Sequence, residues 1–211
     1  MSFAATLVGS QKTPNCVGVL MHYVALYLTE QCRYIIRSGG AKGADTFFEM
    51  GVPARLSQLQ EIYMPSPRFP KGNCRRTYVS DFRKRMDAMS VVEKESLHEF
   101  WHVLIESPSN NNTVANHLRN VFQVLGDDPI ESPIPSRLLV CWTPDGAKEW
   151  EETTQRTGGT RTAIRLALRH NIPVFNLARK EDVLRIHEKV KHLYKPTHTP
   201  DIQEILRHCA K

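Results

Sequence analysis

The sequence predicts an α/β protein: a parallel sheet of about five strands, helices on both faces, and a mostly helical insertion. Three observations carry this. Short apolar runs alternate with stretches of helical periodicity, as strands covered on both faces by crossover helices do. Two Gly-rich turns follow such runs directly and lead into helices. A block at about 66–134 interrupts the alternation with helical patterns and polar loops. The 211 residues, 41% hydrophobic and 24% charged, suit one domain over 1–211 with C-terminal helices at about 180–210.

Each element has its own signal. Phe3-Ala4-Ala5-Thr6-Leu7-Val8 is an apolar run stopped by Gly9-Ser10, which reads as a buried strand and a tight turn. Pro14 suits the first turn of a helix, and Val17, Leu20, Met21, Val24 and Leu28 put one apolar face on it. Tyr34-Ile35-Ile36 is a second strand, followed by the loop Ser38-Gly39-Gly40-Ala41-Lys42-Gly43-Ala44-Asp45 and a short helix over 45–50. Ile62-Tyr63-Met64 is a third strand, closed by Pro65 and Pro67. Helical stretches then run to about Leu125, with Ser107-Pro108-Ser109 and Asn110-Asn111-Asn112 marking an exposed loop. Leu138-Leu139-Val140-Cys141-Trp142 resumes the sheet, Gly158-Gly159-Thr160 opens a helix to about His170, and Ile172-Pro173-Val174-Phe175 is the last strand. Val183, Ile186 and Val190, then Ile202, Ile205, Leu206 and Cys209, give the closing helices one apolar stripe each.

Composition excludes several classes. The longest uncharged stretch, 13–29, contains Pro14, Asn15 and His22 and falls short of the roughly 20 apolar residues of a membrane span. The start has no basic n-region, so a cytoplasmic protein with no membrane partner is expected. Cys16, Cys32, Cys74, Cys141 and Cys209 are scattered, with no C-x-x-C pair, which suggests neither a disulfide framework nor a thiolate zinc site. The net charge of +6 is concentrated. The segment 68–85 holds seven bases and one acid, and 156–180 holds six bases and no acid, so the rest is mildly acidic. That distribution favours a small phosphorylated ligand, with nucleic acid open.

The two Gly-rich loops are the leading candidate site. In an open α/β sheet, ligands bind beyond the carboxyl ends of the strands. Glycine lets backbone approach a ligand, and the N-terminus of the next helix favours an anion. Neither loop is a P-loop or G-x-G-x-x-G.

These residues also carry a resemblance. Gly9-Ser10-Gln11-Lys12-Thr13-Pro14, Arg37-Ser38-Gly39-Gly40-Ala41-Lys42-Gly43-Ala44-Asp45-Thr46, Leu139-Val140-Cys141-Trp142-Thr143-Pro144-Asp145-Gly146 and Thr157-Gly158-Gly159-Thr160 with Ala163-Ile164-Arg165 and 171–177 resemble the SLOG superfamily. These Rossmann-like proteins include the LOG phosphoribohydrolases and the DNA-processing protein DprA. The likeness is greatest to phage-encoded nucleotide-binding members, and it touches Arg119-Asn120 and 122–126 in the insertion. It implies a Rossmann-like fold, a homo-oligomer, a host-cytoplasmic location if phage-encoded, and a nucleotide or phosphoribosyl ligand across both loops. The ligand-binding residues would be Gly9, Ser10, Gln11, Ser38, Gly39, Gly40, Lys42, Gly43, Thr143, Gly158, Gly159, Thr160, Arg161 and Thr162, with the phosphate near Gly158 to Thr162. The LOG enzymes carry P-G-G-x-G-T-x-x-E; here Thr157 replaces the Pro, Arg161 the third Gly and Arg165 the catalytic Glu.

Asp45 and Glu49 are four apart on the helix after the first loop, a spacing that puts both carboxylates on one face. There they would bind ribose hydroxyls, hold a divalent metal, or act as general base. Arg161, Arg165 and Arg169 form an i, i+4, i+8 row whose first member reaches a phosphate at the helix start; the alternative is a solvated face. His98-Glu99-Phe100-Trp101-His102 matches H-E-x-x-H, so His98, His102 and Glu99 are the candidate zinc motif, although Pro108 stands where a metzincin has its third His. The stretch 68–85 interleaves Phe69, Tyr78 and Phe82 with its bases, a pattern suited to single-stranded nucleic acid, to an arm over a phosphate, or to a solvated face. Three functions follow. One is a hydrolase acting on a (deoxy)nucleoside 5′-monophosphate at its phosphomonoester or N-glycosidic bond. The others are a non-catalytic binder that senses or sequesters a nucleotide, and a DprA-like DNA-binding protein.

Overall fold

The computed structural model describes residues 3–65, 75–78, 82–99, 101–106 and 111–209; of 75–78, 82 and 111 only the backbone is described. Among the described residues six parallel strands form one sheet: β1 (Ala4–Leu7), β2 (Ile35–Ser38), β3 (Gln60–Met64), β4 (Arg75–Tyr78), β5 (Leu138–Cys141) and β6 (Val174–Asn176), in the order β4-β3-β2-β1-β5-β6. The sheet is the expected all-parallel α/β sheet with one strand more than the sequence indicates. The extra strand, β4, comes from the start of the insertion and pairs Arg76 with Ile62 and Tyr78 with Met64 at the edge. Its Arg-Arg-Thr-Tyr sequence lacks the apolar run that marks the others, so periodicity gives no strand there.

Helices α1 (Asn15–Glu30), α2 (Ala44–Met50), α7 (Lys180–Val190) and α8 (Ile202–Arg207) cover one face, and α3 (Phe82–Lys94), α4 (Trp101–Glu106), α5 (Asn111–Leu125) and α6 (Thr160–Arg169) the other. The two cores are built as the periodicity requires. Leu20, Met21 and Val24 of α1 pack with Leu7, Ile36 and Phe48 on the first face. Leu118, Val121, Phe122 and Leu125 of α5 pack with Leu139, Ala163 and Ile164 on the second. Each fully buried aliphatic side chain contributes about 2 kcal/mol. Asp201 caps α8 by accepting a hydrogen bond from the Glu204 amide at 3.0 Å. Among the described residues no helix is long and apolar enough to cross a membrane.

Strands β1 to β4 step outward in one direction, and the chain then crosses back to place β5 on the other side of β1. The strand order therefore reverses between β1 and β5. Their carboxyl ends diverge there, leaving the crevice where open α/β sheets bind ligands. The turn after β1, the loop after β2 and the start of α6 all reach it.

Candidate ligand site at the reversal of strand order

A cavity of about 270 Å³ opens at this point. Of the residues expected from the sequence, Gly9, Ser10, Gln11, Asp45, Gly158, Gly159 and Thr160 line it. Lys12, Thr113, Asn116, His117, Arg119, Asn120 and Arg156 line it as well.

The two glycine loops are built differently. At Gly43, φ is +79°, and an added Cβ would lie 2.6 Å from the Ser10 carbonyl oxygen, so the loop is pressed backbone to backbone against the turn after β1. Ser38 Oγ and the Gly40 amide both donate to one carboxylate oxygen of Glu49 at 2.9 Å. Glu49 therefore fastens the first loop. It does not line the cavity, and the shared helical face with Asp45 does not bring both carboxylates to the crevice. Ser38, Gly39, Gly40, Lys42 and Gly43 likewise lie outside the lining: they shape the loop that holds Asp45. The second loop is open. A Cβ at Gly158 or Gly159 would meet nothing within 4 Å. Gly159 has ordinary helical backbone angles, φ −61° and ψ −27°, so neither packing nor strain inside the protein calls for glycine there. The carbonyls of Gly158 and Gly159 accept from the Arg161 and Thr162 amides, which leaves the amides of Gly159 and Thr160 at the N-terminal end of α6.

Asp45 is 1% exposed. One carboxylate oxygen accepts from the Ala41 amide at 3.2 Å and faces Arg119 at 3.5 Å; the other is buried with no hydrogen-bond partner. Burial pushes its pKa up, against the opposing pull of Arg119 and the surrounding amides. A carboxylate held this way is a stronger base than an exposed one.

The wall opposite the sheet comes from α5, which the sequence placed in the insertion and assigned no ligand role. Arg119 donates to the Gly39 carbonyl at 2.7 Å, and its neighbour Asn120 donates to the Gly159 carbonyl at 2.6 Å. Two adjacent residues thus tie both glycine loops to one helix. One turn earlier, His117 shares a 2.6 Å hydrogen bond with the Thr162 hydroxyl. Burial pushes its pKa down to about 3, with His98, Arg161 and Arg119 adding to the effect, so the ring is neutral. The signal for these residues was present in the polar side of an amphipathic helix, but nothing in a single sequence says which residues of an insertion turn inward.

Other expected site residues serve the frame. Thr143 is fully buried and accepts from Asn176 at 2.7 Å, which fixes the end of β5 against β6. Asp145 accepts from the hydroxyls of Thr157 at 2.6 Å and Thr154 at 3.0 Å, bracing the second loop from below. Thr162 is buried behind His117. Arg161 turns away from the cavity to donate to His98 at 2.6 Å and lines a neighbouring hollow of about 450 Å³ with Val103, Leu104 and His117.

Arg165 is not on a solvated face: it is 3% exposed. It donates to Thr153 at 2.7 Å and the Leu97 carbonyl at 3.1 Å, pairs with Glu99 at 2.7 Å, and stacks on Trp150 at 4.6 Å. Arg169 is exposed beside the same ring.

The H-E-x-x-H reading requires both histidines on one helix. Here α4 begins at Trp101, and His98 lies ahead of it, its carbonyl accepting from the Trp101 amide at 3.2 Å. His98 faces Arg161 and Glu99 is ion-paired, so these residues form no metal cluster among the described residues. Much of 68–85 lies outside the described residues; within the part described, Lys84 pairs with Asp127 at 2.5 Å and lies over Phe122. A larger hollow, about 950 Å³, is at the amino ends of the strands, where its buried Arg37 is already paired with Glu61 at 2.9 Å. It lacks the open amides and the partly unpaired carboxylate of the crevice.

Comparison with protein-family models, with curated proteins and with solved structures finds no match to this chain.

Proposed function

We propose that the crevice binds a (deoxy)nucleoside 5′-monophosphate or a related phosphoribosyl ligand, and that the protein hydrolyses it. The observation that carries this reading is the pairing, in one small cavity, of an open glycine turn at the start of α6 with the buried Asp45 carboxylate. The turn offers amides and the positive end of a helix to a phosphate. Lys12 and Arg156 line the same cavity and add positive charge. Asp45 then lies toward the sugar. In N-glycosidic hydrolysis its carboxylate would take the proton of the attacking water and stabilise the positive charge developing at C1′, while the departing base takes a proton. Cleavage of the phosphomonoester instead would need Asp45 at the phosphate. The likeness to the SLOG superfamily supports the same ligand class.

The test is incubation of the protein with ribo- and deoxyribonucleoside monophosphates, following free base and inorganic phosphate separately. Base release that falls at least about 100-fold in Asp45→Asn is expected. Release of neither product from any of these substrates, with and without divalent metal, overturns the hydrolase. One observation favours a second reading, a non-catalytic nucleotide binder. Arg165, at the position of the LOG glutamate, is locked into a buried network, so the crevice has no carboxylate from α6. That reading expects a ligand that binds and is recovered intact.

A further inference from the structure

Away from the crevice, the C-terminal helix meets the start of α1. Glu204 and His208 are four residues apart, the first on α8 and the second its C-cap, and they project from one side of it. Facing them is Cys16, in the first turn of α1. The Cys16 Sγ, a Glu204 carboxylate oxygen and a His208 ring nitrogen all lie within 4.8 Å of one another, the one such cluster found among the described residues.

We propose that Cys16, Glu204 and His208 form a binding site for a divalent cation of Zn²⁺ type. The donor set is sulfur, nitrogen and oxygen from three side chains, the mixture that suits zinc and disfavours magnesium and calcium. Tetrahedral zinc needs such atoms about 3.4–3.6 Å apart, given bonds of about 2.0–2.3 Å. Glu204 and His208 are exposed and Cys16 half-buried, so side-chain rotation closes the remaining distance without moving either helix. No described hydrogen bond or ion pair holds the Glu204 carboxylate or the His208 ring. The thiol proton leaves when the metal binds, so binding acidifies the solution. Three protein ligands leave a fourth position for water.

The site ties α1 to α8. Cys16 follows Lys12, which lines the crevice, by four residues. The metal therefore anchors α8 to the segment that builds one wall of the ligand site.

The decisive measurement is titration of the full-length protein, reduced and stripped with chelator, with Co²⁺ followed by Zn²⁺. Expected is a near-ultraviolet sulfur-to-cobalt charge-transfer band that saturates at about one ion per chain, with visible bands of tetrahedral intensity, displaced by Zn²⁺. Cys16→Ser, nearly isosteric and so expected to fold, should abolish the sulfur band. His208→Ala and Glu204→Gln should each weaken binding at least about tenfold, and Cys209→Ser should leave it unchanged. Circular dichroism of each variant confirms the fold. Absence of the band in the folded wild-type protein overturns the site, as does a band that survives Cys16→Ser or is lost in Cys209→Ser.

Discussion

Asp45 stands for a charge the fold tolerates rather than one it needs. Its carboxylate is buried, one oxygen has no partner, and the Arg119 contact at 3.5 Å is long. The neutral amide removes the cost of burying that charge, and Arg119 keeps its donation to the Gly39 carbonyl at 2.7 Å when the long ion pair is lost. Asp45→Asn is therefore expected to keep or raise Tm in a thermal melt while losing base release; a large fall in Tm would make Asp45 a structural residue. Gly159 makes the complementary case. Alanine there meets nothing in the protein, so Gly159→Ala should leave Tm within about 2 °C and, on the proposed function, weaken nucleotide monophosphate binding, read by calorimetry, because its methyl group enters the space proposed for the phosphate. Unchanged affinity would remove the phosphate from this loop. Both residues were legible as candidates, since Gly-Gly turns and first-turn acids have recognisable spacing. Glu49 was not separable from Asp45 on the same grounds: one helix face holds both, and only the path of the loop decides which reaches the crevice and which fastens Ser38 and Gly40.

Helix α6 shows what an element's pattern can and cannot say. Its apolar positions marked it correctly, while its arginine row left open a phosphate contact at Arg161 and a solvated face. In place, Arg161 and Arg165 are buried because the insertion folds over them, and Arg165 joins the Leu97 to Glu99 turn to Thr153. Arg165→Met should cost about 3 kcal/mol, since it leaves the Leu97 carbonyl without that donor; at this chain length that is about 10 °C in Tm. Arg165→Glu, the residue of the LOG pattern, should fail to give soluble folded protein, because it sets a buried carboxylate against a carbonyl and Glu99. A stable Arg165→Glu protein with unchanged Tm would refute this account of the α6 contacts. The insertion itself was the least readable part. Edge strand β4 has no apolar run, and the inward-facing polar residues of α5 look like any solvated helix side until the helix is packed against two loops.

Across the whole molecule, buried histidines set the response to acid. His117 takes a proton only near pH 3 when folded, but near 6.5 when unfolded. Between those values the unfolded state binds more protons, so stability falls as pH drops below about 6.5. The pKa values of His98 and His22 are also lowered by burial, and both act in the same direction. From pH 7.5 to 5.5 His117 alone should remove about 1.4 kcal/mol, measured by urea denaturation. Asp45, with its pKa raised, works in the opposite sense, so the measurement belongs in the Asp45→Asn background. There His117→Gln should flatten the pH dependence; an unchanged slope would place the titration elsewhere. On the same scale, the sequence by itself determined the alternation of strand and helix, the parallel sheet, and the two glycine loops at strand ends. These depend on local periodicity and backbone chemistry, which a short window of residues carries. Only the tertiary structure decided which carboxylate enters the crevice, that α5 closes it, that His98 and Glu99 meet Arg161 and Arg165, and that Cys16 meets Glu204 and His208. Each of these is a meeting of side chains far apart in the chain, and it follows from how helices pack on the sheet rather than from spacing along it.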